Sequence, residues 1–130
     1  QPDGTHCAAN QVLYNVGSRG IEYDLLPLMR QHQIPVMAYC PLAQAGRLRR
    51  GLLNHPALRQ IAGEHHATVP QILLAFLLAQ PGVLPIPRTG SAQHAQQNAA
   101  AAEIRLSAEE LALLDAAFPK PKRKTRLEIV

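Results

Sequence analysis

Tryptophan is absent from this chain, and its aromatic content stops at three Tyr and two Phe in 130 residues. Any core must therefore be built mainly from aliphatic side chains. Long apolar runs are missing too. No stretch approaches the ~20 residues of a membrane-spanning helix, so no membrane association is expected. Cysteine is scarce: Cys7 and Cys40 stand far apart. That spacing fits no metal-ligand pattern and no disulfide framework, which leads us to expect a reduced pair, no metal and a cytoplasmic protein. The sequence opens Gln1-Pro2-Asp3, with neither an initiator Met nor a signal-peptide pattern, so a processed, excised or incomplete chain is expected. No GxGxxG occurs, which excludes the Rossmann dinucleotide fingerprint.

The body of the chain also lacks net charge. From Pro119 onward Lys120, Lys122, Arg123, Lys124 and Arg126 face one acid, Glu128, and this excess equals the whole net charge of +4. A nucleic-acid domain would carry basicity on its folded face. Here it is confined to a short Pro-containing tail, which reads as solvated, so no nucleic-acid partner is expected.

What is present is an alternation of strands and helices. Residues 1–9 form a polar leader. Gln11 to Asn15 is β-rich and ends at Gly17-Ser18-Arg19-Gly20. Ile21 to Gln33 has a helical period, with Ile21, Leu25, Leu28 and Met29 on one face. Pro27 is tolerable there only if the helix begins late, near Asp24. Ile34 to Tyr39 is a second strand, apolar on both faces as covered parallel strands are. A loop, Cys40 to Gly46, leads to a basic segment with Arg47, Arg49 and Arg50. Asn54-His55-Pro56 starts a helix whose apolar face is Leu58, Ile61 and Ala62. Thr68-Val69-Pro70-Gln71 is a capping box opening a helix to Gln80 that is apolar almost all round and should be buried. Pro81-Gly82 breaks it, and Val83 to Ile86 is the third strand. Ser91 to Ala102 is helical. Ser107-Ala108-Glu109-Glu110 is a second capping box, for a last helix through Phe118. Such alternation implies a parallel sheet with right-handed crossovers.

The stretch Ile86-Pro87-Arg88-Thr89-Gly90-Ser91 joins a strand to a helix N-terminus, where the first N–H groups lack intrahelical partners and attract anions. Arg88 adds a fixed charge with a fork of donors, Thr89 and Ser91 add hydroxyls, and Gly90 lets a ligand approach the backbone. Two readings stand on this stretch alone: a phosphate site, or an ordinary turn with Ser91 as N-cap and Arg88 in solvent. In βα proteins ligands sit at the C-terminal ends of strands. The other two ends supply an amide, Gln11, and an aromatic, Tyr39, suited to a flat polar ring.

These three segments, together with His94, Gln97, Asn98 and the ending Leu106 to Leu111, resemble the C-terminal part of an aldo-keto reductase, in order and spacing. The resemblance implies an α/β fold made of parallel (β/α) units of a TIM (β/α)8 barrel, with about the last three repeats present, and NADP(H) as cofactor. It implies a domain over 1–118 and a basic tail over 119–130. It places Gln11 at the nicotinamide carboxamide and Tyr39 on the nicotinamide ring. Cys40 and Leu42 match the loop that passes the pyrophosphate, with Pro41 between them; Arg88 and Thr89 match positions that hold the ribose 2′-phosphate, and Gly90 and Ser91 follow as further cofactor-binding residues. His94 stands where many members have Arg. Gln97 and Asn98 match the pair at the adenine, with Gln97 replacing a common Glu.

The family's catalytic Asp, Tyr, Lys and His lie on its first four strands, and no residue here matches them. Besides Tyr39, only Tyr14 and Tyr23 are tyrosines, and neither has the catalytic context. His6, His32, His55, His65 and His66 read as exposed polar residues. A barrel of this type needs about 250 residues. The expectation is thus a cofactor-binding part of a carbonyl reductase that is inactive alone, completed by a missing half that meets the small-molecule carbonyl substrate. The alternative is a non-catalytic nucleotide-binding relic or regulatory module. Self-association through exposed strand edges is also expected.

Overall fold

The computed structural model describes residues 6–129; most of the expected polar leader lies outside them. Three short strands, β1 (Asn10–Leu13), β2 (Val36–Tyr39) and β3 (Val83–Pro85), form one sheet in the order β1-β2-β3. Both pairings are parallel, with Gln11 opposite Met37, Leu13 opposite Tyr39, and Met37 opposite Leu84. Helices α1 (Leu25–Gln31), α2 (Arg47–Leu53), α3 (Pro56–Glu64), α4 (Val69–Leu78), α5 (Ala92–Ala100) and α6 (Ala108–Ala117) complete the chain.

Local chemistry sets the element boundaries. The first helical period splits: Gly20–Glu22 is a 3₁₀ turn, and α1 starts only after Asp24, which puts Pro27 in the first turn where its missing N–H is harmless. The face expected for this helix is corrected in part. Leu28 is exposed, and Leu26 is the side chain that enters the core. The basic segment after Gly46 is itself a helix, α2, anchored by buried Leu52. Gly46 has φ +125, a conformation only glycine adopts easily. His55 caps α3 through its ring Nδ1, which accepts from the Ala57 N–H, and Pro56 follows as the first helical residue. Both capping boxes form, Thr68 with Gln71 and Ser107 with Glu110.

The two faces of the sheet are covered unequally. Side chains alternate along each strand, so Val12, Val36, Ala38 and Val83 share a face, and all of them are buried. That face packs on α4, whose residues Ile72 to Leu77 are buried without exception. The opposite face carries Gln11, Leu13, Met37, Tyr39 and Leu84. There Leu13 is buried beside the C-terminal tail, Met37 and Tyr39 are half-buried, and Gln11 and Leu84 are exposed. The expectation that β2 is covered on both faces is therefore corrected: its burial alternates, with Val36 and Ala38 buried and Met37 and Tyr39 half-buried.

One buried polar cluster ties the beginning of the chain to its end. Arg19 Nε and Nη2 donate to the two carboxylate oxygens of Glu22, each at 2.8 Å, and Nη1 donates to the Phe118 carbonyl at 2.7 Å. Nη2 also meets Asp115 Oδ1 at 2.8 Å, and the guanidinium carbon lies 5.1 Å from the centre of the Phe76 ring. Tyr14 donates its phenol to Glu22 at 2.6 Å. Burial first, and the Glu22 hydrogen bond second, push the Tyr14 phenol far above its ordinary pKa, so it remains a neutral donor. The tail folds back on the same region. Lys124 pairs with Asp24 at 2.9 Å, and Thr125 Oγ1 lies only 2.6 Å from where a side chain on Gly20 would begin. The tail is thus exposed yet seated on the body, not simply solvated.

Two histidines also differ from expectation. His55 is half-buried, with its ring 4.6 Å from that of Phe118. His65 joins α3 to α6 through a 2.7 Å contact with Glu110. The helix ends that bear them pack against α6 instead of facing water.

Candidate functional site

The strand ends on the β2-β3 side deliver two loops to one rim. After β2, Ala43 N–H donates to the Cys40 carbonyl, closing a tight turn in which Cys40 (φ 49) and Ala43 (φ 57) are both left-handed without being glycine. Such conformations persist only when the surroundings hold them. Asn15 supplies part of that hold. Buried at the end of the first strand segment, it donates its amide to the Cys40 carbonyl at 3.1 Å and accepts from the Gly17 N–H at 3.0 Å. Nothing in the sequence marked Asn15 for this role, because the two loops meet only when the strands pair.

After β3, the chain runs extended through Pro87 and Arg88 to the N-terminus of α5. Thr89 Oγ1 accepts from the Ser91 N–H at 3.1 Å, and Ser91 Oγ accepts from the His94 N–H at 3.4 Å, capping α5. The local facts of the plain-turn reading thus hold: Ser91 is the N-cap and Arg88 is exposed. They do not exhaust the site. Both hydroxyls act as acceptors toward the backbone, so each O–H hydrogen remains available to an anion. The N–H groups of Ala92 and Gln93 have no intrahelical acceptor. Gly90 has neither a positive φ nor any protein atom within 4 Å of an added Cβ, so the fold itself makes no demand for glycine there.

A cavity of about 290 Å³ opens beside this turn, near the lower end of the range for small-molecule sites. Leu42, Arg88, Thr89, His94, Gln97 and Asn98 line it, joined by Arg49, Thr68 and Pro70. No carboxylate is among its lining residues. Half of the residues expected at a cofactor site therefore meet in one cavity. Arg49 was visible in the sequence only as part of a basic segment; the α2 helix brings it to the rim. Gln71 braces the arrangement. Its side-chain oxygen accepts from Thr68 in the capping box while its amide donates to the Gln97 carbonyl at 3.0 Å, fastening α5 to the start of α4.

The remaining expected residues sit elsewhere. Gln11 and Tyr39 lie on the second sheet face, on adjacent strands. Cys40 and Pro41 belong to the turn after β2, and Gly90 and Ser91 to the turn that opens α5; none of the four is among the residues lining the cavity. Both cysteines are free thiols, and among the described residues no cluster of metal-ligating side chains occurs. No described helix is long and apolar enough to cross a membrane.

A parallel α/β unit with an acid-free cavity at the C-terminal end of a strand defines the class of βα proteins, which place their ligands at such strand ends. Within that class the match is specific. The model of the aldo/keto reductase family covers residues 3–118, and the chain belongs to this family. It is 56% identical over 129 residues to the methylglyoxal reductase YeaE of Escherichia coli (strain K12), covering 99% of this chain and 45% of that protein. It is 38% identical over 110 residues to the pyridoxine 4-dehydrogenase of the same organism, covering 84% of this chain and 36% of that protein. The crystal structure of an aldo-keto reductase from Klebsiella pneumoniae in complex with NADPH superposes with a TM-score of 0.93 at 60% identity, over 98% of this chain and 45% of that one. The chain thus spans less than half the length of these relatives, and its parallel sheet with helices corresponds to the C-terminal part of their (β/α)8 barrel.

Proposed function

We propose that this chain is the NADP(H)-binding, C-terminal part of a carbonyl reductase whose proton-donating residues lie outside these 130 residues. The observation that carries the reading is the acid-free cavity where Arg88, Thr89, His94, Gln97 and Asn98 meet at the end of β3. Its cations and hydroxyl donors suit a phosphate monoester, and the Gln97-Asn98 pair suits the edge of an adenine. The turn at Cys40 to Leu42 connects this cavity to Tyr39 and Gln11. Tyr39 offers a ring face to a nicotinamide, and Gln11 offers both a donor and an acceptor to its carboxamide. When bound, NADPH supplies a hydride to a carbonyl carbon. The residues of this chain bind and orient it, which is the protein's share of such chemistry.

The substrate class we propose is aldehydes and ketones, in keeping with the methylglyoxal reductase of Escherichia coli. Equilibrium dialysis of the folded chain against NADPH and NADH tests the binding half of this reading, with retention of NADPH expected. Failure of a folded chain to retain it counts against the reading. NADPH oxidation with methylglyoxal tests the other half: turnover by these 130 residues alone would show that they carry their own proton donor.

A further inference from the structure

Arg88 is not the only cation at the cavity beside α5. Arg49 reaches the same space from α2, an element separated from Arg88 by two helices and a strand. Two guanidiniums that share a small space repel each other unless an anion lies between them. The protein offers none. The cavity lining contains no carboxylate, and among the described residues neither Arg49 nor Arg88 forms an ion pair. The contrast with Arg19 is direct, since that guanidinium is matched by Glu22 and Asp115. The third basic group at the cavity, His94, is exposed and is an imidazole, not a guanidinium. The second guanidinium at the cavity is therefore that of Arg49.

We propose that Arg49 is a specificity-determining residue that clamps the ribose 2′-phosphate together with Arg88, beside His94, which supplies an imidazole and not a guanidinium. This rests on the nucleotide reading above. A cation at this point discriminates between cofactors that carry the 2′-phosphate and those that lack it, while leaving adenine and ribose contacts to other residues.

The test compares adenosine 2′,5′-bisphosphate with adenosine 5′-monophosphate by calorimetric titration of the full chain. Arg49→Ala should weaken the bisphosphate by about 10- to 100-fold, the scale of a lost charge-assisted hydrogen bond, and change the monophosphate by less than about threefold. Arg49→Lys should restore part of the preference, since it returns the charge without the fork. Arg50→Ala, on the same helix but away from the cavity, should leave the ratio unchanged. Circular dichroism matching the wild type excludes a folding defect. An unchanged ligand ratio in Arg49→Ala, or an equal loss in Arg50→Ala, overturns the assignment of Arg49 while leaving the nucleotide site standing. A folded wild-type chain that binds neither nucleotide overturns both.

Discussion

Arg19 is buried with its charge matched on every side, by Glu22, Asp115 and the Phe118 carbonyl. Removing one member of such a set leaves an uncompensated charge in the interior. Arg19→Met should therefore cost about 3–5 kcal/mol, read as a fall in the urea midpoint at constant slope. Replacing Arg19 and Glu22 together by apolar residues should cost less than the single change. Asp115 makes the same network sensitive to acid. Partial burial works against its charge, but the hydrogen bond and charge of Arg19, joined by Lys120, hold its pKa below the ordinary carboxylate value. A carboxyl with a lowered folded pKa contributes stability above its unfolded value, and that contribution is lost as pH falls through the folded one. The melting temperature of the wild type should accordingly fall more steeply than that of Asp115→Asn as pH drops from about 5 toward 3.

Among the elements, α4 holds the domain together and α5 lines the candidate cavity, with Gln71 linking them. Thr68→Ala removes only the cap and should cost about 1 kcal/mol. Gln71→Ala removes the reciprocal half of the box and the bond to Gln97. It should destabilise by about 1–2 kcal/mol and also weaken adenosine bisphosphate binding. Gln71→Glu separates the two roles. It retains the acceptors that Thr68 needs but has no donor for the Gln97 carbonyl, so binding should fall more than the melting temperature does.

For the molecule as a whole, the second sheet face and the two outer strands are its least covered surfaces. Leu84 is 53% exposed on an edge strand, and Leu78 nearby is 40% exposed. In the longer relatives the corresponding strands belong to a closed barrel, which has no edges. A three-stranded piece has two, and exposed edges and apolar faces favour association. We expect concentration-dependent self-association in analytical ultracentrifugation. Leu84→Lys should shift the chain toward monomer, because a charge on an edge strand opposes pairing. A monodisperse monomer at high concentration in the wild type would contradict this.

The sequence by itself determined the order and type of most elements, because these rest on local chemistry. Both capping boxes, the Pro-Gly break before β3 and the late start of α1 were legible from residues a few positions apart. So were the segments that carry the family resemblance. Burial was legible where a pattern was one-sided or saturated, as in α3 and α4. It failed where covering depends on distant parts of the chain, as for Leu28, for the second face of β2, and for His55 and His65 against α6. The candidate site divides along the same line. Arg88, Thr89, Gln97 and Asn98 lie within one turn and helix, and their pattern is local. Arg49, Asn15 and Gln71 reach their partners across elements, through the pairing of β1 with β2 and the packing of α2 and α5 beside α4. Only the tertiary structure decided that the Arg88 turn shares its cavity with a second cation and no carboxylate. Local sequence sets what a segment can form, whereas the charge inside a cavity depends on which segments the fold brings to its walls.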